Sequence, residues 1–207
     1  MSIATRERNN TDDGPIKKPD IFGTYINLDI KYTWEILYGE ISNGPFANTT
    51  QSKVHKKEDR VKLGKLAKDS VDNACKFYAS NYRKLPLDFQ KLKICLLQGS
   101  ATVLELFILD KKYLPLYRLR RLAIVELPLQ KNSSSLDSII NLVSVLLTFH
   151  ELLRDNLMII QSVDKKLVVD GCDEIIDMGD YKDPIPTSNT PRQSTNVKKK
   201  INAKGSS

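Results

Sequence analysis

Residues 87–114 read LDFQKLKICLLQGSATVLELFILDKKYL, and residues 136–160 read LDSIINLVSVLLTFHELLRDNLMII. Both are apolar on almost every face. Threaded as a helix, the first has one narrow polar stripe, Lys91, Gln98, Thr102 and Glu105, and the second has Asp137, Asn141, Ser144, Thr148, Glu151 and Asp155. A helix that is apolar nearly all round has to be buried. The two stretches are therefore expected to lie side by side as the spine of an all-α fold. Gly99-Ser100-Ala101 then reads as a small-residue patch where a neighbouring helix crosses closely.

Outward from this spine, three further helices are expected. Residues 20–41 place Tyr25, Leu28, Tyr32 and Ile36 at helical spacing, and Ser42-Asn43-Gly44-Pro45 stops them. Ile26, Leu28 and Ile30 also alternate, which leaves a strand as the alternative. Residues 46–57 read as a polar loop. Residues 58–83 carry Val61, Leu63, Leu66, Ala67, Ala74, Phe77 and Tyr78 at a 3.6 period, with Lys62, Lys65, Lys68, Asp69, Asp72 and Lys76 opposite. Pro86 breaks the chain, Pro115 can open a helix over 116–126, and Pro128 ends it. The expected architecture is a single bundle of about five helices over residues 20–163. A disordered segment (1–19) precedes it; an acidic-apolar strip (164–183) and a disordered basic tail (184–207) follow. Nine Gly and nine Pro in 207 residues are too few for the frequent turns of a β-sandwich or barrel.

A membrane span is the competing reading of such apolar runs, and about twenty clean apolar residues are needed to cross. Residues 94–109 include Gln98 and Glu105, and the second run carries His150, Glu151, Arg154 and Asp155. A water-soluble domain without membrane contact is expected. Residues 1–20 are polar, without the apolar core of a secretory signal, and the three cysteines (Cys75, Cys95, Cys172) show no metal or CxxC spacing. The expected location is inside the cell, the nucleus ahead of the cytoplasm.

The net charge of +7 is unevenly placed: residues 184–207 carry +5, residues 164–183 carry −4 and residues 21–163 carry +6. Such asymmetry points to a basic tail behind an acidic strip. In the body, Lys111, Lys112, Arg118, Arg120 and Arg121 join Lys53, Lys56, Lys57, Arg60, Lys62 and Lys65 as a candidate surface for phosphates. Lys198, Lys199 and Lys200 add a nuclear address or a nucleic-acid contact, and Thr190-Pro191 has the form of a proline-directed phosphorylation site. Within the acidic strip, Leu167-Val168-Val169 and Ile175-Ile176 are short β-prone clusters among acids. They resemble SUMO-interacting segments in pattern, a type of segment that adds a strand to a partner's sheet edge. The bland alternative is a strand folding back on its own domain.

No catalytic constellation, cofactor motif or metal-ligand spacing occurs. His150 beside Glu151 reads as a half-buried helical histidine, and an enzyme would need Glu105, His150, Glu151 and Arg154 gathered in one pocket. Cys75 and Cys95 read as small core residues. The expected function is a non-enzymatic helical scaffold or adaptor subunit of an intracellular, nuclear assembly whose partners are other protein subunits. Its anchors are Tyr32, Trp34 and Tyr38, taken as aromatic residues that the core does not need, together with the 167–176 clusters. The alternative is a nucleic-acid-associated factor that binds phosphates through the basic surface and tail.

Overall fold

The structure is a computed structural model that describes residues 18–42, 50–82, 84–113, 116–128, 133–168 and 175–177. Strands β1 (Ile21–Asn27) and β2 (Tyr32–Ser42) form a hairpin, and helix α1 (Thr50–Tyr82) follows. Then come β3 (Lys84–Pro86), a 3-10 turn over Leu87–Lys91, β4 (Lys93–Ser100), β5 (Val103–Tyr113) and β6 (Leu116–Glu126). Helix α2 (Ser133–Val168) and β7 (Ile175–Asp177) complete the described elements. One sheet runs in the order β1-β2-β4-β5-β6, antiparallel throughout except where β2 lies parallel to β4, the two joined through α1. β3 and β7 form a separate antiparallel pair.

The fold is thus mixed α/β, and the five-helix bundle is overturned. Residues 93–113 are a β-hairpin, not a helix, and a short 3-10 turn leads into it. Their continuous apolarity has a different cause: β4 and β5 are inner strands covered on both faces, and such strands lose the polar alternation that marks a half-exposed sheet. Ile94, Leu96, Phe107 and Leu109 pack with α1, while Cys95, Leu106 and Ile108 pack with α2. The small-residue patch is the hairpin's tight turn, with Ser100 opposite Val103. Ala101 sits there at φ 53, a left-handed conformation that costs a non-glycine residue about 1 kcal/mol or more. Lys31 takes φ 54 in the β1–β2 turn. For residues 20–41 the alternating reading wins. Residues 116–126 form strand β6, where Arg118, Leu119 and Arg120 already alternate.

The α1 helix is where its periodicity places it, but it starts eight residues earlier, inside the expected polar loop. The α2 helix also forms, yet it is not a buried spine. Only its middle and far end are covered. Phe149, with Val145 and Leu152 beside it, meets Cys95, Leu106 and Ile108 on one face of the sheet, and Ile160 and Val163 enter the main core.

That core holds Trp34, Tyr38, Leu63, Leu66, Tyr78, Phe89, Ile94 and Leu96. Tyr32, Trp34, Phe77, Tyr78 and Phe89 form one aromatic cluster, with Tyr32 stacked on Phe77 at 4.3 Å. Two polar locks fix α2 to it. The Tyr78 hydroxyl donates to Asp164, and Asn27 Nδ2 donates to the other Asp164 oxygen at 2.6 Å. Asn27 Oδ1 in turn accepts from the Asp29 amide at 2.9 Å, so the β1–β2 turn orients the lock. Burial pushes the Asp164 carboxyl up, against these two hydrogen bonds. In the second lock, Asn156 Oδ1 accepts the Lys93 amide at 3.1 Å while its Nδ2 donates to the Lys93 carbonyl. One side chain thereby satisfies both backbone groups of a residue at the start of β4, ahead of the stretch that pairs with β2.

Candidate interaction surfaces

Helical geometry divides α2 into three strips. Val145, Phe149, Leu152 and Asn156 point to the sheet. Asp137, Asn141, Ser144, Thr148, Glu151 and Asp155 form the polar strip read from the sequence. A second apolar strip faces solvent: Leu136, Ile139, Ile140, Val143, Leu146 and Leu147, with Leu136, Ile140 and Leu147 still 60%, 59% and 61% exposed. Intervals of three and four residues between them make a seam of the kind that receives another helix. Large contiguous exposed apolar surface is the kind that interaction sites use. Leu136–Lys165 is long and apolar enough, by length and composition, to cross a membrane, and almost none of its most apolar window is buried within the chain.

Strand β6 is one edge of the five-stranded sheet. Leu116, Leu119, Leu122 and Ile124 on it are exposed. Its arginines go to opposite faces. On the α2 side, Arg118 binds Asp110 through two nitrogens at 3.1 and 3.0 Å, and Arg120 binds the same carboxylate at 3.1 Å. On the α1 side, Arg121 reaches Glu105 at 3.2 Å, where Arg60 (2.8 Å) and Lys56 (2.5 Å) also converge. Gln98 steadies that group by accepting from Arg60 Nε and donating to the Lys56 carbonyl, and the Arg60 guanidinium lies over the Phe107 ring. Burial pushes the Glu105 and Asp110 carboxyls up. The hydrogen bonds and charges of Lys56 and Arg60, and of Arg118 and Arg120, outweigh it and hold both below the usual carboxylate range.

The residues expected from sequence are dispersed. Trp34 and Tyr38 are 2% and 0% exposed and belong to the core, and Tyr32 packs against it. Their aromatic surface is spent on Tyr78, Phe77 and Phe89, which corrects the expectation that these rings lie off the core. Leu167 and Val168 end α2, and Val169 lies outside the described residues. Ile175 and Ile176 form β7, whose backbone pairs with Pro86 and Leu85 of the same chain, the bland alternative stated for them. Lys111 is buried against Asp72 and the Tyr117 ring. Lys112 is on β5, with a side chain that is not described. With Arg118 and Arg121 on opposite faces, the expected basic residues do not make one phosphate surface. Thr190, Lys198, Lys199 and Lys200 lie outside the described residues, as do residues 1–17 and 178–207.

Glu105 is on the α1 face, whereas His150, Glu151 and Arg154 are exposed on α2, so that constellation is not assembled. Burial pushes the Cys95 thiol up to about 12, which leaves it protonated at neutral pH. Among the described residues, no three His, Cys, Asp or Glu side chains gather as a metal ion would require. Sequence reasoning missed the outward strip of α2 because a helix apolar on two sides looks the same whether one or both are covered. No protein-family model, curated protein or solved structure matches the chain.

Proposed function

We propose that the protein acts by contact, as a non-catalytic subunit of an intracellular assembly. The outward strip of α2 docks an amphipathic helix of a partner protein, and the sheet with α1 is the rigid mount. One observation carries this: Leu136, Ile140, Val143 and Leu147 stand exposed at seam spacing on a helix whose opposite side is fixed to the sheet. A lipid surface is the competing occupant, favoured by the length and apolarity of α2. Against it, the stretch free of charged residues and histidine runs only from Ser138 to Phe149, 12 residues or about 18 Å of helix, and a bilayer core needs about 30 Å. The Lys-rich tail serves this reading as a nuclear address.

A photo-crosslinking amino acid at Leu147 of the full chain, in its native cell, tests the proposal. The expected product is one protein adduct whose cross-linked peptide has apolar residues at three- and four-residue intervals. Adducts to lipid, or to a segment without helical periodicity, would sink it. A Lys57 probe, on the exposed side of α1, should give no such adduct.

A further inference from the structure

We infer that the outer edge of β6 accepts an extended acidic-apolar segment of a partner protein as a sixth strand. This surface is separate from the helix-docking strip, and either stands without the other. Among the described residues, no strand pairs with the outer edge of β6, although the strand is 11 residues long and contains neither Gly nor Pro. An edge of that length is a template for strand addition unless something blunts it.

Its side chains define what can add. Leu119, Leu122 and Ile124 offer apolar surface at the edge. Arg118, Arg120 and Arg121, about half-exposed, flank them. Arg118 and Arg120 converge on Asp110, and Arg121, Lys56 and Arg60 converge on Glu105, so each of these two carboxylates faces more than one cation. The cations lie on both faces of the sheet edge, so the alternating side chains of an added strand meet positive charge whichever way they point. A second copy of β6 brings the same arginines against these, and like charges on adjacent strands are destabilising. A strand that alternates Val or Ile with Asp or Glu brings negative charge to these partly exposed cations. The other edge of the sheet is less suited. β1 has seven residues, includes Gly23 and a register shift, and places the Asp20 carboxylate beside β2, where it accepts the Ile41 amide at 2.7 Å.

Fluorescence anisotropy of the full chain tests this with a labelled nine-residue peptide alternating Val with Asp or Glu. Saturable binding is expected. N-methylation of alternate peptide amides, which removes the main-chain hydrogen bonds, should weaken it at least about 10-fold. Arg120→Gln with Arg121→Gln should weaken it about 5-fold at low salt and less at high salt. Equal binding of the N-methylated peptide, equal binding of a Lys-for-acid peptide, or no binding up to about 1 mM would each overturn the inference. So would a symmetric disulfide dimer of an Ile124→Cys variant at micromolar concentration, because a second copy would then occupy the edge.

Discussion

Replacing Ile140 and Leu147 together by Gln separates the two sides of α2. Complete burial of such a side chain is worth roughly 1.5–3 kcal/mol. The two residues are 59% and 61% exposed, so about two-fifths of each is already covered within the chain. The double variant should therefore cost the folded chain about 1–2.5 kcal/mol. The uncovered three-fifths of both side chains, roughly 2–3.5 kcal/mol, is what a docking helix would gain. Partner affinity should fall roughly 30- to 400-fold. Phe149→Ala, two positions from Leu147 and 5% exposed, should instead cost about 3–5 kcal/mol of stability. Urea unfolding followed through Trp34, the single tryptophan and a core residue, reads the stability, and titration of the cross-linked partner reads affinity. A double variant as unstable as Phe149→Ala would refute a solvent-facing strip, and one that keeps full affinity would refute the docking role.

Four further outcomes follow from the packing. Ala101→Gly, relieving the left-handed turn, should stabilise the chain by about 0.5–1 kcal/mol in the same urea titration. Asn156→Ala leaves the Lys93 amide and carbonyl without their side-chain partner and should cost about 2–4 kcal/mol, with early loss of amide protection in β4 by hydrogen exchange. Trp34 Nε1 is buried without a hydrogen-bond acceptor among the described residues. Trp34→Phe should therefore cost far less, about 1 kcal/mol, than the roughly 3–5 kcal/mol of Trp34→Ala, measured by circular dichroism melting. Glu40 and Asp164, both raised by burial, bind protons in the folded chain before the unfolded one, so stability should rise as pH falls from neutrality towards the ordinary carboxylate range. Below about pH 4 it should drop as Glu105 and Asp110, both held low by their cations, are forced to protonate. Glu40→Gln should reduce the first limb to the share of Asp164 and leave the second.

The two long helices were legible because each has an uninterrupted period of about 3.6 over many turns. The sheet was not, for reasons that differ by strand. β4 and β5 are covered on both faces, so Ile94 to Leu97 and Leu104 to Leu109 show an unbroken apolar run, or nearly so, that fits either element. Their turn lacks the usual Asn-Gly or Asp-Gly signal, because Ala101 takes the left-handed position instead. β6 matches both periods: Leu119 and Leu122 satisfy a helix, while Arg118 and Arg120 satisfy a strand. Once that strand was read as a helix, its arginines fell on one face and implied a phosphate surface that the sheet divides. The aromatic residues of β2 were misplaced for a related cause. On a helix Trp34 and Tyr38 leave the stripe of Tyr25, Leu28, Tyr32 and Ile36, whereas on a strand Trp34 and Tyr38 share the inner face with Ile36. The outward strip of α2 was present in the sequence, but whether a neighbour covers it is a property of tertiary arrangement alone.

The two polar locks, at Asn156 and Asp164, both grip the far half of α2, and Phe149 is its fully buried contact nearest the start. Some 16 residues, about 24 Å, separate Phe149 from the first residue of the helix. The helix is therefore stepped like a mast, rooted at one end and more exposed towards the other. A load applied near Leu136 would therefore act on the Lys93 and Tyr78 attachments with a long lever arm.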